Sequence, residues 1–175
     1  MWEAQLLGRE LYYVFYIFIL YSVGGWIYES TLVSVQKKSF INRGFLTGPV
    51  IPIYGCGALA VYLVFWDYRN NLLLVFFGGI LLATILEYIT SLVMELLFHT
   101  RWWDYSKHKF NLHGRICLSA SLIWGFLSIL MLHVFQPVMD SAIALIPRKT
   151  GEIVGYVIIP FFLYDTAMAA VTSVK

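Results

Sequence analysis

Between Leu11 and Val33 the chain reads LYYVFYIFILYSVGGWIYESTLV, 23 residues in which Glu29 is the only charge. A helix rises about 1.5 Å per residue, so roughly 20 apolar residues cross about 30 Å of hydrocarbon. Membrane barrel strands would instead alternate over segments of about 10 residues. Four further runs share this character, at about 48–66, 72–98, 116–136 and 153–172. The third is long enough to tilt. The stretch Ser141–Ile146 is too short to cross and is expected along the interface. The expected fold is all-α, a polytopic integral membrane helical bundle of about five transmembrane helices forming a single membrane domain over residues 1–175. Composition agrees: 60% hydrophobic and 13% charged residues leave too little polar surface to coat a soluble globule, which carries about 25% charged residues.

The sequence excludes several chemistries. It has no G-x-x-x-x-G-K-[ST], so no P-loop nucleotide site is expected. A net charge of +2 is too small to point to nucleic acid. Cys56 and Cys117 make no C-x-x-C pair. His99, Asp104, His108, His113 and Cys117 match no metal-ligand spacing, so neither metal nor cofactor is expected. No serine lies in G-x-S-x-G. The first apolar run is long and aromatic rather than a short leader core, so no cleavable signal peptide is expected.

Lysine and arginine set the orientation. With five crossings, one side carries Arg9, Arg69, Arg148 and Lys149. The other carries Lys37, Lys38, Arg43, Arg101, Lys107, Lys109, Arg115 and Lys175. The heavier side is expected to be cytoplasmic, with the N-terminus outside, the C-terminus inside, and the loops 36–47 and 99–115 inside.

Ionisable residues inside a span cost about 2.5–3.5 kcal/mol on insertion scales and are functional candidates by default. Glu29, Glu87, Glu95 and Asp165 all fall late in spans that run inward, which predicts four acids at similar depth. Thr84, Glu87, Ser91 and Glu95 are spaced by three, four and four residues and share one helix face. Arg115, at the start of the fourth span, is expected to pair with Glu87 or Glu95, because each lone charge would be costly there. A polar cavity open to the cytoplasm is expected, the alternative being ion pairs that only set helix register.

The two loops read KKSFINRGFLTGP and HTRWWDYSKHKFNLHGR. Phe40, Asn42, Arg43 and Gly44 parallel Phe110, Asn111, Gly114 and Arg115. Two readings stand: a parallel helix–loop–helix repeat, or basic residues gathered at one membrane face. Trp102 and Trp103 suit the headgroup belt. Arg101 and Asp104 beside them suggest a site for a phosphate or a planar solute.

Six segments in order carry a family resemblance: GWIYE (Gly25–Glu29), NRGFLTGP (Asn42–Pro49), PIYG (Pro52–Gly55), LEYITS (Leu86–Ser91), RWWDYS (Arg101–Ser106) and NLHGRICL (Asn111–Leu118). Together they resemble the bacterial family called putative ABC-transporter type IV, or CmpB-like. The match is close over about Gly25–Gly125 and reaches the last span mainly through Asp165. The resemblance implies a small multi-span protein of the bacterial inner membrane acting as a permease-like component. An ABC permease needs a separate ATPase, since this chain has no Walker motif.

The expected function is transport or solute binding at a polar site in the cytoplasmic half of the bilayer. The candidate ligand-binding residues are Glu29, Asn42, Arg43, Glu87, Ser91, Glu95, Arg101, Trp103, Asp104, Asn111, Arg115 and Asp165. No catalytic residue is assigned. The expected partners are the lipid bilayer, a second copy of the chain, and a separate ATPase or other membrane subunit. Two alternatives stand beside transport: an enzyme acting on a lipid or amphiphile at the inner leaflet, and a structural or regulatory membrane subunit.

Overall fold

The structure, a computed structural model, describes residues Met1–Ser173. Strands β1 (Gln5–Leu6) and β2 (Arg9–Glu10) form a short antiparallel hairpin. Leu7 and Gly8 at its tip both have positive φ, 50° and 78°, as a two-residue type I′ turn requires. Helix α1 follows (Leu11–Lys37), then α2 (Pro52–Phe65) with a 3₁₀ turn at Trp66–Tyr68. Helix α3 (Leu72–Phe98) opens on Asn71, whose side chain accepts from the Leu74 amide at 3.1 Å, an N-cap. A second hairpin pairs β3 (Asn111–Leu112) with β4 (Ile116–Cys117). Helix α4 (Leu118–Leu130), a π turn (Met131–Phe135) and α5 (Gln136–Ala144) make one continuous 27-residue helix. Helix α6 spans Arg148–Ser173.

Four of these helices are long and apolar enough to cross a membrane: Leu11–Lys37, Leu72–Phe98, Leu118–Ala144 and Arg148–Ser173. The second expected span, 48–66, is shorter in the structure. Gly48 to Ile51 enter without helical structure, and Pro52 takes the first helical position, where its missing N–H loses no bond. With the 3₁₀ turn, Pro52–Tyr68 rises about 27 Å at helical spacing.

The third span matches at 72–98, and boundaries of the first, fourth and fifth differ. The first span runs past Val33 to Lys37 and ends where Lys38 adopts the left-handed conformation (φ 52°), a common helix stop. The fifth begins at Arg148, not Ile153. The fourth starts at Leu118, because Ile116 and Cys117 pair in a strand. It then runs through Gln136-Pro137 to Ala144, so Ser141–Ala144 belongs to this helix rather than to a separate interfacial segment. Pro137 has no N–H for the His133 carbonyl four residues back. His133 lies within the π turn, a feature that accommodates such a break.

The chain divides into two compact units. One comprises Met1–Leu59 and Val138–Ser173; the other comprises Ala60–Pro137.

In the first unit Trp2 is 3% exposed and meets Tyr12, Phe15 and Tyr156 edge-on, with ring centroids 5.2–6.0 Å apart. Gly151 and Gly155 form a G-x-x-x-G step, a spacing that often lets two helix backbones approach. Here the two positions receive the rings of Tyr12 and Trp2. Arg148 bonds Glu10 (2.6 Å) and Glu152 (2.7 Å) and lies 4.2 Å over the Tyr12 ring. It thereby fastens the N-terminal hairpin to α6. Gly55 of α2 packs on α1 at Ser22 and the Phe18 carbonyl.

In the second unit α3 and α4 meet through glycines: Gly79 faces Ser128, and Gly125 faces Phe76 and Ile80. Thr84 donates to Ser121 across the same seam at 2.8 Å.

Candidate functional sites at two loop–helix junctions

In the first unit the polar groups of α1 hold the loop that follows it. Trp26 donates its indole N–H to Asn42 at 2.5 Å. Glu29 accepts from the Tyr54 hydroxyl at 2.8 Å and faces Arg43 at 3.6 Å. Ser30, 3% exposed, accepts the Arg43 backbone amide at 3.1 Å. Asn42 closes the loop on itself by donating to the Thr47 carbonyl at 2.7 Å. On α6, Asp165 accepts the amides of Gly48 (2.8 Å) and Thr47 (3.2 Å). The NRGFLTGP segment is thus tied to α1 on one side and to α6 on the other. Gly44 within it has φ +114°, a conformation that residues with a Cβ rarely adopt.

The second unit is more densely bonded. The polar stripe of α3 meets the loop 99–117 and α4. Glu95 is the hub: one oxygen accepts from Arg101 Nε at 2.9 Å, and the other pairs with Arg115 Nη2. Arg115, 9% exposed, also donates to Ser91 at 3.2 Å. The sequence left Glu87 and Glu95 as alternative partners of Arg115, and the structure selects Glu95. Glu87 is instead bonded by neutral groups, the Tyr105 hydroxyl at 3.0 Å and the Trp124 indole at 3.1 Å. It is 5% exposed in the middle of α3.

The remaining loop candidates serve the loop itself. Trp103 donates to the Arg115 carbonyl at 3.0 Å. Asn111 donates to the carbonyls of His108 (2.8 Å) and Ser106 (3.3 Å) and accepts the Gly114 amide at 3.0 Å. Asp104 accepts from the Ser106 hydroxyl (2.5 Å) and amide (2.9 Å). These bonds, the hydroxyl's first, hold its carboxyl below the usual carboxylate range. The bond to Glu95 raises the Arg101 pKa, keeping it firmly charged. Arg101 also donates to the His113 carbonyl at 3.3 Å. Arg101 and Asp104 are therefore engaged within the protein rather than paired around an open phosphate site. Among the described residues no group of three His, Cys, Asp or Glu side chains is placed to hold a metal.

Some participants have no distinct mark in the sequence. Tyr54, Tyr105 and Trp124 supply the donors to Glu29 and Glu87, yet an aromatic residue within a span or a flanking loop reads simply as packing or belt. Asp140, which accepts from Tyr13, lies in the segment read as interfacial or connecting. The two units also share a pattern. Ser30 and Ser91 are both buried and both accept from an arginine of the following loop, and α1 and α3 both have 27 residues and stop at a left-handed residue.

The profile of the family described as putative ABC-transporter type IV matches residues 16–170. The chain belongs to this family. The match takes in both loops and every candidate residue named above. With four helices of membrane-crossing length, this member of the type IV family is a multi-pass, transport-related membrane protein. No curated protein and no solved structure matches the chain.

Proposed function

We propose that the chain is a permease-like membrane subunit of a transport system, and that Glu87 with the groups around it contacts the solute. One observation carries this reading. Glu87 is buried within a lipid-length helix, Arg101 and Arg115 of the following loop pair with Glu95, and among the described residues Glu87 is bonded by two neutral donors. A carboxylate kept only to set register would be offset by a cation; one held by exchangeable donors suits a solute path. Tyr105, one of the two donors, sits on the loop rather than on a helix. Withdrawal of that loop would free one Glu87 oxygen for a solute that carries a cation or a hydrogen-bond donor.

The energy source in this reading is a separate ATPase, because the chain has no P-loop. A second copy or another membrane subunit completes the path, since so few helices enclose little space. With α2 counted as the fifth crossing, the basic-residue bias favours both loops and the C-terminus in the cytoplasm and the N-terminus outside. In a Cys56→Ser background, cysteines at Lys38 and Lys107 are expected to react with an impermeant thiol reagent only from the cytoplasmic side. Labelling in intact cells would reverse the orientation.

The functional test compares solute flux in cells lacking the protein with flux in cells carrying variants. Glu87→Gln is expected to lower flux about tenfold, the equivalent of one lost bond to a charged group, with the protein still present in the membrane. Glu3→Gln and Glu152→Gln are expected to retain flux. If deletion alters the flux of no solute across a broad panel, the transport reading fails. If Glu87→Gln transports normally, the site assignment fails alone.

A further inference from the structure

We infer that the face of α1 from Ile27 to Val35 binds an anionic phospholipid, with an acyl chain along the helix and the phosphate on Lys37 and Lys38. This inference is independent of the Glu87 site. Two adjoining cavities, of about 220 and 410 Å³, share Ile27, Thr31 and Val35 as their common strip. These residues are spaced by four and run about 12 Å along the helix axis, a straight path suited to an extended chain. Phe40, 76% exposed, walls the smaller cavity just past the helix end.

Three of the polar groups bordering the strip are already engaged, which leaves the Thr31 and Tyr28 hydroxyls as its remaining side-chain polar groups. The Trp26 indole bonds Asn42, Ser30 accepts the Arg43 amide, and Ser34 accepts the Ile41 amide at 2.8 Å. A polar solute would find few partners there, whereas a hydrocarbon chain needs none. At the end of the strip Lys37 and Lys38 are exposed, and neither enters an ion pair among the described residues. Glu29, the acid of this part of α1, already faces Arg43 and Tyr54. An apolar strip on a membrane helix that ends in two unneutralised lysines fits an amphiphile with a negative head.

The test is native mass spectrometry of the purified chain titrated with phosphatidylglycerol or with phosphatidylcholine of the same acyl chains. Phosphatidylglycerol is expected to bind more tightly, by a factor of about five per lysine and about 25 for the pair at low salt, and the preference shrinks as salt rises. Lys37→Gln with Lys38→Gln is expected to erase the preference while leaving binding at the phosphatidylcholine level. Thr31→Trp, which fills the strip, is expected to weaken both lipids. Equal binding of the two lipids to the parent protein, or an undiminished preference in the double glutamine variant, would overturn the inference. A photocrosslinking residue at Val35 separates the remaining alternatives: a lipid adduct supports the inference, and a crosslink to a second copy or another protein rejects it.

Discussion

Glu95→Leu is expected to destabilise the protein, because it leaves the Arg115 guanidinium, only 9% exposed, without its counter-charge. The partners of Arg115 are Glu95 and the neutral Ser91. Arg101, the other guanidinium on Glu95, has a side chain 36% exposed and can turn to water, so its loss of partner costs little. Arg115→Leu should also be costly, but less so, since Glu95 would keep Arg101. The double variant Glu95→Leu with Arg115→Leu should recover much of the loss, because no buried charge remains unpaired. The Glu87→Leu and Arg115→Leu pair should instead add to within about 0.5 kcal/mol, since Glu87 is bonded to Tyr105 and Trp124 and not to Arg115. Equilibrium unfolding in detergent for the single and double variants measures both cycles. Additivity in the Glu95–Arg115 cycle would mean that the ion pair does not form.

Gly55→Val is expected to prevent normal packing of α1 against α2, with a loss of about 3 kcal/mol or more, at the upper end of overpacking effects. A Cβ at Gly55 would lie 2.5 Å from the Phe18 carbonyl oxygen. Backbone cannot rotate aside as a side chain can, so the helices would have to separate. Tyr54, the preceding residue, would then be drawn off Glu29, and the anchorage of the NRGFLTGP loop would weaken with it. The adjacent glycines of α1 supply a contrast. A Cβ at Gly25 would overlap the Tyr54 ring, whereas Gly24 has nothing within 4 Å. Gly24→Ala should therefore be neutral, or stabilising by up to about 1 kcal/mol through helix propensity. Melting temperature and the yield of monodisperse protein check both variants. A Gly55→Val protein that melts like the parent would show that α1 and α2 do not touch at this point.

The membrane class and most of the helix positions were legible in the sequence. Transfer of a residue from water to hydrocarbon depends chiefly on that residue and on the length of its run. The boundaries 72–98 needed nothing else. The stripe Thr84, Glu87, Ser91, Glu95 was equally legible, because helix period alone puts those residues on one face, and in the structure all four bond partners on the following loop or α4. Where a helix stops was harder to read: the fourth run was expected to end at about 136, and a π turn carries the helix on to Ala144.

Which groups meet was decided only by tertiary structure. Arg115 had two acids within plausible reach, and choosing Glu95 depends on where the loop 99–117 returns against α3. The donors to Glu87 come from positions 18 and 37 residues farther along the chain, and those to Asp165 from positions 117 and 118 residues earlier. Trp2 has no sequence period at all, yet it fills the space that Gly155 leaves on α6. Burial in lipid is an energy of one segment and its solvent, so a single sequence window contains it. A hydrogen bond or an ion pair is an energy of two groups a few ångströms apart, and that distance exists only once the chain has folded.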